Sequence, residues 1–235
     1  NKDYNESAQS LGLYDQLYYP FGELSATTQK TSLNSFRAQG RLNAKITEWL
    51  NIDLGGAIEN EQGVNDLLKT EDSYRVRYLV NTKAKKDPAN GTPLFTDLPQ
   101  GNFLTKETLK NTAYTLRAQA NLNYETKDKK HSISGIIGIE QRQVKAESFK
   151  TTFFGYDDQS LINKPVNLQV LNSRIKPAFK EVGDYGSSFN SNDYFGEKYS
   201  DRRFRSFYGQ GTYMFKHKYI CLLYTSDAAD DGESV

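Results

Sequence analysis

The stretch Phe36-Arg-Ala-Gln-Gly-Arg-Leu-Asn43 places apolar or small side chains at even positions and polar side chains at odd positions. The alternation continues to Thr47. A period of two residues predicts a strand with one apolar and one polar face, because successive strand side chains point to opposite faces. The pattern resumes after Glu48-Trp49 and runs through Ile58. Two such runs joined by a minimal turn predict an antiparallel hairpin.

The same unit returns 80 positions later along the chain. The stretch Leu116-Arg-Ala-Gln-Ala-Asn-Leu-Asn123 is identical to the first at five of eight positions, and a turn of charged residues follows it. A third unit begins near Phe207 and turns at Lys216-His217-Lys218. The alternation therefore predicts strands over about 33–47, 50–62, 112–126, 131–147 and 204–216.

The connections between these strands differ in length in a regular way. Turns near residues 48, 128 and 217 are short, whereas the loops at about 63–111 and 148–203 are each about fifty residues long, which is uncommon in compact soluble domains. Short turns on one side and long loops on the other are typical of outer-membrane barrels. We therefore predict an all-β fold, a partial transmembrane antiparallel β-barrel with long extracellular loops. Within the first loop, the alternation from Tyr74 to Val80 predicts a strand extension or a loop hairpin.

Composition agrees with a barrel wall and excludes other classes. Aromatic residues make up 13% of the chain, and the mean hydropathy is -0.73. No stretch approaches the roughly 18 apolar residues of a transmembrane helix. The net charge of +1 predicts no nucleic-acid partner. Because the chain begins at Asn1 and not at Met, we expect a fragment that lacks its N-terminal part.

The last fifteen residues, 221–235, do not fit the rest of the chain. They carry four acidic residues and no basic one, and the alternation stops at Cys221. The stretch Leu223-Tyr-Thr-Ser-Asp-Ala-Ala-Asp-Asp231 resembles translated sequencing-adapter read-through. We therefore divide the chain into a barrel segment, 1–220, and a non-native tail, 221–235.

The sequence predicts no catalytic residues and no cofactor site. The two histidines, His131 and His217, lie at turns without a second ligand at metal-binding spacing, so we predict no metal site. No Ser/His/Asp arrangement and no phosphate loop is found, so we predict no enzyme and no cofactor. Arg37, Arg41 and Arg117 fall on the polar face, where they either pair with Asp and Glu side chains or meet a substrate.

Aromatic side chains concentrate in the second long loop. Because sugar rings stack on such side chains, these residues are our candidates for contact with a substrate or a partner; the alternative is that they pack on one another. The candidates are Phe153, Phe154, Tyr156, Tyr185, Tyr194, Phe195 and Tyr199. Aromatic residues at the strand ends are assigned to the girdles of the barrel. These girdle residues are Tyr114, Tyr124, Tyr213 and Phe215.

Several motifs along residues 10–220 carry a family resemblance. They are Ser73-Tyr-Arg-Val-Arg-Tyr-Leu-Val-Asn81, Leu98-Pro-Gln-Gly101, Tyr114-Thr-Leu-Arg-Ala-Gln119, Lys130-His-Ser-Ile133, Phe154-Gly-Tyr-Asp157, Arg205-Ser-Phe-Tyr-Gly-Gln-Gly-Thr-Tyr213 and Lys218-Tyr-Ile220. In this order they resemble the barrel region of SusC/RagA-family TonB-linked outer-membrane proteins.

The resemblance implies a segment of a 22-stranded, plugged barrel in the outer membrane of a Gram-negative cell. It implies import of oligosaccharides or peptides, a SusD-like surface lipoprotein as partner, contact with outer-membrane lipid, and energy from the TonB-ExbB-ExbD complex. The chain departs from the family in carrying no plug and no TonB box. Three alternatives stay open: a TonB-dependent receptor for siderophores or cobalamin, a soluble all-β carbohydrate-binding module, and an outer-membrane barrel enzyme.

Overall fold

A computed structural model describes residues 2–173, 176–182, 189–216 and 218–233. Its long strands form one six-stranded sheet in the order β1-β2-β5-β6-β7-β8, and a short β3-β4 pair stands apart from that sheet. The strands are β1 (Thr27–Lys45), β2 (Leu50–Lys69), β3 (Lys85–Lys86), β4 (Pro93–Leu94), β5 (Asn102–Glu125), β6 (His131–Tyr156), β7 (Gly196–Phe215) and β8 (Tyr219–Glu233). The helices are α1 (Lys2–Ser10), α2 (Pro20–Ala26), α3 (Tyr74–Lys83) and α4 (Leu168–Asn172), with 3-10 turns at Lys180–Val182 and Ser191–Asp193.

The observed strands overlap the predicted ones and extend past their predicted ends on the side away from the short turns. The structure has β2 ending at Lys69, β5 beginning at Asn102, β6 ending at Tyr156 and β7 beginning at Gly196. The long connections are correspondingly shorter, at residues 70–101 and 157–195. Alternation fades in these extensions because loops and helices pack on them, while the backbone ladder does not depend on alternation. The three turns lie where they were predicted.

The predicted strand or hairpin over Tyr74–Val80 is wrong, because this stretch is the helix α3. Val76, Leu79 and Val80 are all buried, and their spacing is the i, i+3, i+4 pattern of one helix face. In so short a window, the same residues satisfy both an alternating and a helical pattern. Burial of the helical face decides between the two.

The last strand continues further than the alternation of side chains suggested. β8 pairs with β7 in antiparallel register from Phe215↔Tyr219 to Asp201↔Glu233. The strand therefore passes Cys221, where we expected the pattern to end, since ladder hydrogen bonds use only the backbone. The read-through origin of residues 221–235 stays a prediction about the sequence.

The chain divides into two compact units. Unit 1 comprises Asn1–Ser32, Val64–Thr108 and Phe149–Glu197, and contains the helices and both long connections. Unit 2 comprises Leu33–Gly63, Leu109–Ser148 and Lys198–Val235, and contains the short turns. Among the described residues, the two buried hydrophobic clusters both lie in unit 1.

The larger cluster of unit 1 packs α3 and α4 against strand ends. Its members are Val76, Leu79, Val80, Leu98, Phe103, Phe154, Leu171 and Phe189. The segment that follows α1 is held on α3 by a reciprocal pair of hydrogen bonds: the Tyr14 amide donates to Asn81 Oδ1 at 2.9 Å, and Asn81 Nδ2 donates to the Tyr14 carbonyl at 2.8 Å. The helices and the two long connections of unit 1 therefore pack around a core of their own. We call this part of unit 1 the loop body.

Candidate functional site on the polar face of the sheet

In unit 2, one face of the sheet carries a connected set of polar side chains. They come from odd positions of β1, β2 and β5 and even positions of β6 and β7, as alternation requires. The members used below are Arg37, Arg41, Asn43, Asp53, Glu59, Arg117, Gln119, Asn121, Arg142 and Tyr208. We call this set the polar ladder.

Asp53 on β2 is the centre of the polar ladder and is 8% exposed. It accepts hydrogen bonds from Asn43 Nδ2 on β1 and from Asn121 Nδ2 on β5, both at 2.7 Å. Arg41 lies 3.1 Å from the same carboxylate. Three strands are thus linked through one ionised group, whose burial is compensated by these donors.

Ion pairing accounts for two of the three arginines that the alternation placed here. Arg41 pairs with Asp53, and Arg37 lies 3.5 Å from Glu59. The Glu59 carboxylate also lies 3.3 Å from Arg142. The side chains of Arg37 and Arg41 are 63% and 71% exposed, so solvent screens these pairs and they contribute little to stability.

Arg117 has a different environment from the other two arginines. Its Nε donates to Tyr208 Oη at 2.8 Å, its Nη2 donates to Gln119 Oε1 at 2.6 Å, and its guanidinium lies 5.2 Å from the centre of the Tyr208 ring. Tyr208 Oη in turn donates to Gln119 Oε1 at 2.9 Å. Gln119 Nε2 continues the chain to Asn121 at 2.6 Å. The guanidinium is therefore oriented by stacking and by two hydrogen bonds.

Gly138 makes the contact between Tyr208 and Arg117 possible. Tyr208 belongs to β7 and Arg117 to β5, so the tyrosine ring must cross the intervening strand β6. It crosses at Gly138, where a Cβ atom would overlap the ring and the hydroxyl. A glycine within a strand often marks such a close approach. This contact is not evident from the sequence, because Arg117 and Tyr208 are 91 positions apart.

Replacing Gly138 with valine should displace the Tyr208 ring and free Arg117. Overpacking of this kind costs about 1–3 kcal/mol. The measurement is urea unfolding in neutral detergent, for Gly138→Val, Tyr208→Ala and the double variant. We expect Gly138→Val to cost little in the Tyr208→Ala background. An equal cost in both backgrounds would show that the ring is not what the glycine accommodates.

The polar ladder borders an open groove of about 570 Å³. Its lining offers guanidinium, carboxamide and carboxylate groups but no nucleophile with an adjacent base. Among the described residues, no group of three His, Cys, Asp or Glu side chains is arranged to hold a metal ion. His131 Nδ1 lies 2.7 Å from Tyr213 Oη, while His217 lies outside the described residues. The groove is thus suited to binding polar groups.

The opposite face of unit 2 is apolar and exposed. Leu42 of β1 is 73% exposed and Leu116 of β5 is 66% exposed. The other exposed side chains of this face include Phe36, Ile46, Leu54, Ile58, Ile133, Ile137 and Phe207. Two of the residues that we assigned to a girdle, Tyr124 and Tyr213, are exposed at the turn end of this face. An exposed apolar surface of this extent marks contact with a membrane or a partner.

The structure separates the seven aromatic residues that were predicted to contact a substrate or a partner. Phe154 is 1% exposed and lies in the core of unit 1, so its predicted contact role is wrong: packing encloses the ring. Tyr194 and Phe195 pack on Phe154, with ring centroids 5.5 and 6.1 Å away. Burial raises the pKa of the Tyr194 hydroxyl, and the nearby Arg75 partly opposes this effect.

The remaining candidates differ in accessibility. Phe153 and Tyr156 are half-buried, and Tyr199 is exposed. Tyr185 lies outside the described residues. A contact role for Phe153, Tyr156, Tyr185, Tyr194, Phe195 and Tyr199 stays a prediction.

Comparison with solved structures relates this fold to known ones. The RagAB peptide importer in its closed-closed state matches with a TM-score of 0.56 and 10% identity, over 88% of this chain and 18% of that chain. Its open-open state matches with 0.57 and 11%, over 93% and 21%. A further structure of the RagAB peptide transporter gives 0.59 and 10%, over 92% and 21%. The chain is similar in fold to part of RagAB.

The RagAB likeness confirms the predicted fold class, an antiparallel all-β segment of a larger β-structure, and it concerns the fold alone. The chain spans about a fifth of the length of the RagAB chains it matches. No family model matches the chain, and no curated protein matches it. None of the described helices is long and apolar enough to cross a membrane.

Proposed function

We propose that this chain is a wall segment of a TonB-dependent outer-membrane importer of the SusC type. The importer takes up oligosaccharides or peptides together with a SusD-like surface lipoprotein. The TonB-ExbB-ExbD complex supplies the energy, through parts of the protein outside this segment. The polar ladder faces the lumen, and the apolar face contacts outer-membrane lipid.

The observation that carries this proposal is the contrast between the two faces of unit 2. The exposed apolar side chains and the polar ladder occupy opposite faces of the same strands. Arg or Lys on the lipid face of a barrel costs about 2–4 kcal/mol at the bilayer midplane, so charges are confined to the lumen. Arg37, Arg41 and Arg117 all lie on the polar face.

Two observations support the proposed cargo and the proposed lipoprotein partner. The groove beside the polar ladder offers hydrogen-bond donors and acceptors, which suit hydroxyl-rich sugars and peptide groups alike. The RagAB structures are described as those of a peptide importer, which favours peptides as one cargo class. Exposed Tyr199 and half-buried Phe153 and Tyr156 are the residues we assign to cargo or lipoprotein contact.

Two other functions of this segment are less well supported. A siderophore or cobalamin receptor would have the same lipid-facing and lumen-facing sides. Only the imported cargo would distinguish it from the proposed importer. A soluble carbohydrate-binding module must cover its apolar surface, whereas Leu42 and Ile137 are 73% and 62% exposed.

The test is to recover the complete coding sequence that contains residues 1–220 and to express it in a Gram-negative host. We expect the product in the outer-membrane fraction, and uptake of labelled oligosaccharides or peptides that depends on TonB. Deleting the host tonB function is the control and should abolish uptake. A product in the soluble fraction, or uptake only of iron chelates or cobalamin, would contradict the proposal.

A further inference from the structure

The turn end of unit 2 concentrates positive charge on two adjoining turns. The first turn carries Lys127, Lys129 and Lys130, and the second carries Lys216 and Lys218. All five lysines are exposed. The Lys216 amide donates to the Lys130 carbonyl at 2.7 Å, which holds the two turns side by side. We call these five residues the lysine rim.

Negative charge near the lysine rim is smaller and is partly engaged within the turn. Glu125 and Asp128 are the carboxylates of these two turns, so the lysines exceed them by three. The Thr126 hydroxyl and the Lys130 amide donate to Asp128, which lowers the pKa of that carboxyl to about 2. The ionised Asp128 shapes its own turn and pairs with Lys130 at 3.4 Å.

The backbone supplies a second, independent observation. Lys129 has φ of 54° and Lys216 has φ of 49°, so each turn places a lysine in the left-handed region. Glycine or asparagine adopts that region at lower cost, whereas a long side chain does so rarely. Each turn therefore carries a lysine at a position where glycine or asparagine would be less strained. Strain of this kind is often found where a side chain has a function.

Aromatic side chains place the lysine rim at a defined depth. His131 stacks on Tyr213 and also contacts Phe215, with ring centroids 6.0 and 5.0 Å away. Lys216 Nζ lies 5.3 Å from the centre of the Phe215 ring. Aromatic residues of membrane proteins gather at the level of the lipid headgroups. With the sheet placed in the membrane as proposed above, the lysines next to them lie at the depth of lipid phosphates.

We propose that the lysine rim binds the phosphate headgroups of anionic phospholipids in the leaflet that borders these turns. The inference rests on the proposed membrane placement of the sheet and adds a lipid specificity to it. Each basic residue near a membrane surface contributes about 1 kcal/mol to the attraction of anionic lipid. The site anchors the turn end of the wall in the headgroup layer.

The single tryptophan of the chain provides the probe for a test. Trp49 lies on the neighbouring turn, where its carbonyl accepts from the Asn123 amide at 2.9 Å. The complete protein that contains this chain, with every tryptophan other than Trp49 replaced, is refolded into phosphatidylcholine vesicles that contain either brominated phosphatidylglycerol or the same fraction of brominated phosphatidylcholine. We expect the anionic lipid to quench Trp49 with about tenfold preference at low salt. High salt should remove the preference by screening.

Matched charge variants assign the preference to the lysine rim. Lys129→Gln, Lys130→Gln and Lys216→Gln together should reduce the preference to about onefold. The control removes three exposed lysines elsewhere and should keep the preference; these are Lys30→Gln, Lys86→Gln and Lys198→Gln. Should the first triple variant fail to fold, Lys129→Gly with Lys216→Gly suits the left-handed backbone and should also lose preference.

The outcomes separate this proposal from the proposed function. Equal quenching by both brominated lipids leaves the membrane placement standing and overturns the lipid site. Quenching by neither lipid overturns the membrane placement, and the lipid site with it. A preference that survives in both rim variants overturns the assignment to the lysine rim.

Discussion

Replacing Leu116 with arginine is expected to abolish assembly of the barrel that contains this segment. Leu116 is 66% exposed on the apolar face of β5, where we place lipid. The change removes a favourable leucine and puts a guanidinium on the lipid side, at about 2–4 kcal/mol near the midplane. The measurement is the heat-modifiable gel shift of the folded protein in the outer-membrane fraction, which should be lost.

The matched controls lie on the opposite face of the same strand. Gln119→Arg keeps the charge in the lumen, but it also removes the hydrogen bonds of Gln119 with Arg117 and Asn121. Thr115→Arg is the milder control, because Thr115 lines the groove without a part in those bonds. We expect both controls to assemble, with Thr115→Arg closer to the parent. Equal loss in all three variants would contradict the assignment of the two faces.

Replacing Phe154 with alanine is expected to unfold the loop body of unit 1. The ring is 1% exposed and contacts Phe103, Phe189 and Tyr194 at centroid distances of 4.9, 5.9 and 5.5 Å. Truncation of a buried phenylalanine costs about 3–5 kcal/mol, through lost burial and the cavity that remains. The measurement is limited proteolysis of the folded protein, in which the connection 157–195 should become cleavable.

Phe149→Ala is the control for this experiment. Phe149 belongs to the same strand and the same unit, but its side chain is 53% exposed. Surface substitutions of this kind usually change stability by less than about 0.5 kcal/mol. Its proteolytic pattern should therefore match that of the parent. Equal cleavage in the two variants would mean that the buried cluster does not hold the loop body together.

The wall of unit 2 is the part of this protein that local sequence pattern predicted well. Alternation of side chains is a local property, so the period-two runs from Phe36 and from Tyr114 identified strands and their two faces. The breaks in that alternation are local too, and they located the turns near 48, 128 and 217. The pairing of Arg37 with Glu59 and of Arg41 with Asp53 also follows from the hairpin, because those residues lie on facing strands.

Local sequence pattern did not predict the structure where a residue's environment depends on neighbours that are distant in the sequence. Tyr74 to Val80 satisfies a strand pattern, yet the buried face against Leu98 and Phe154 selects a helix. Phe154 was assigned to a binding surface by composition alone, and its enclosure depends on residues from several elements. Burial is a property of the assembled core, not of a residue type.

By itself, the sequence determined the strands of unit 2 up to Phe215, their apolar and polar faces and the asymmetry of turns and loops, because those features follow from side-chain periodicity and chain length. Long-range packing decided the helix α3, the core around Phe154 and the passage of Tyr208 over Gly138 to Arg117. The physical reason is register: which side chains meet across a sheet depends on strand pairing between residues about ninety positions apart.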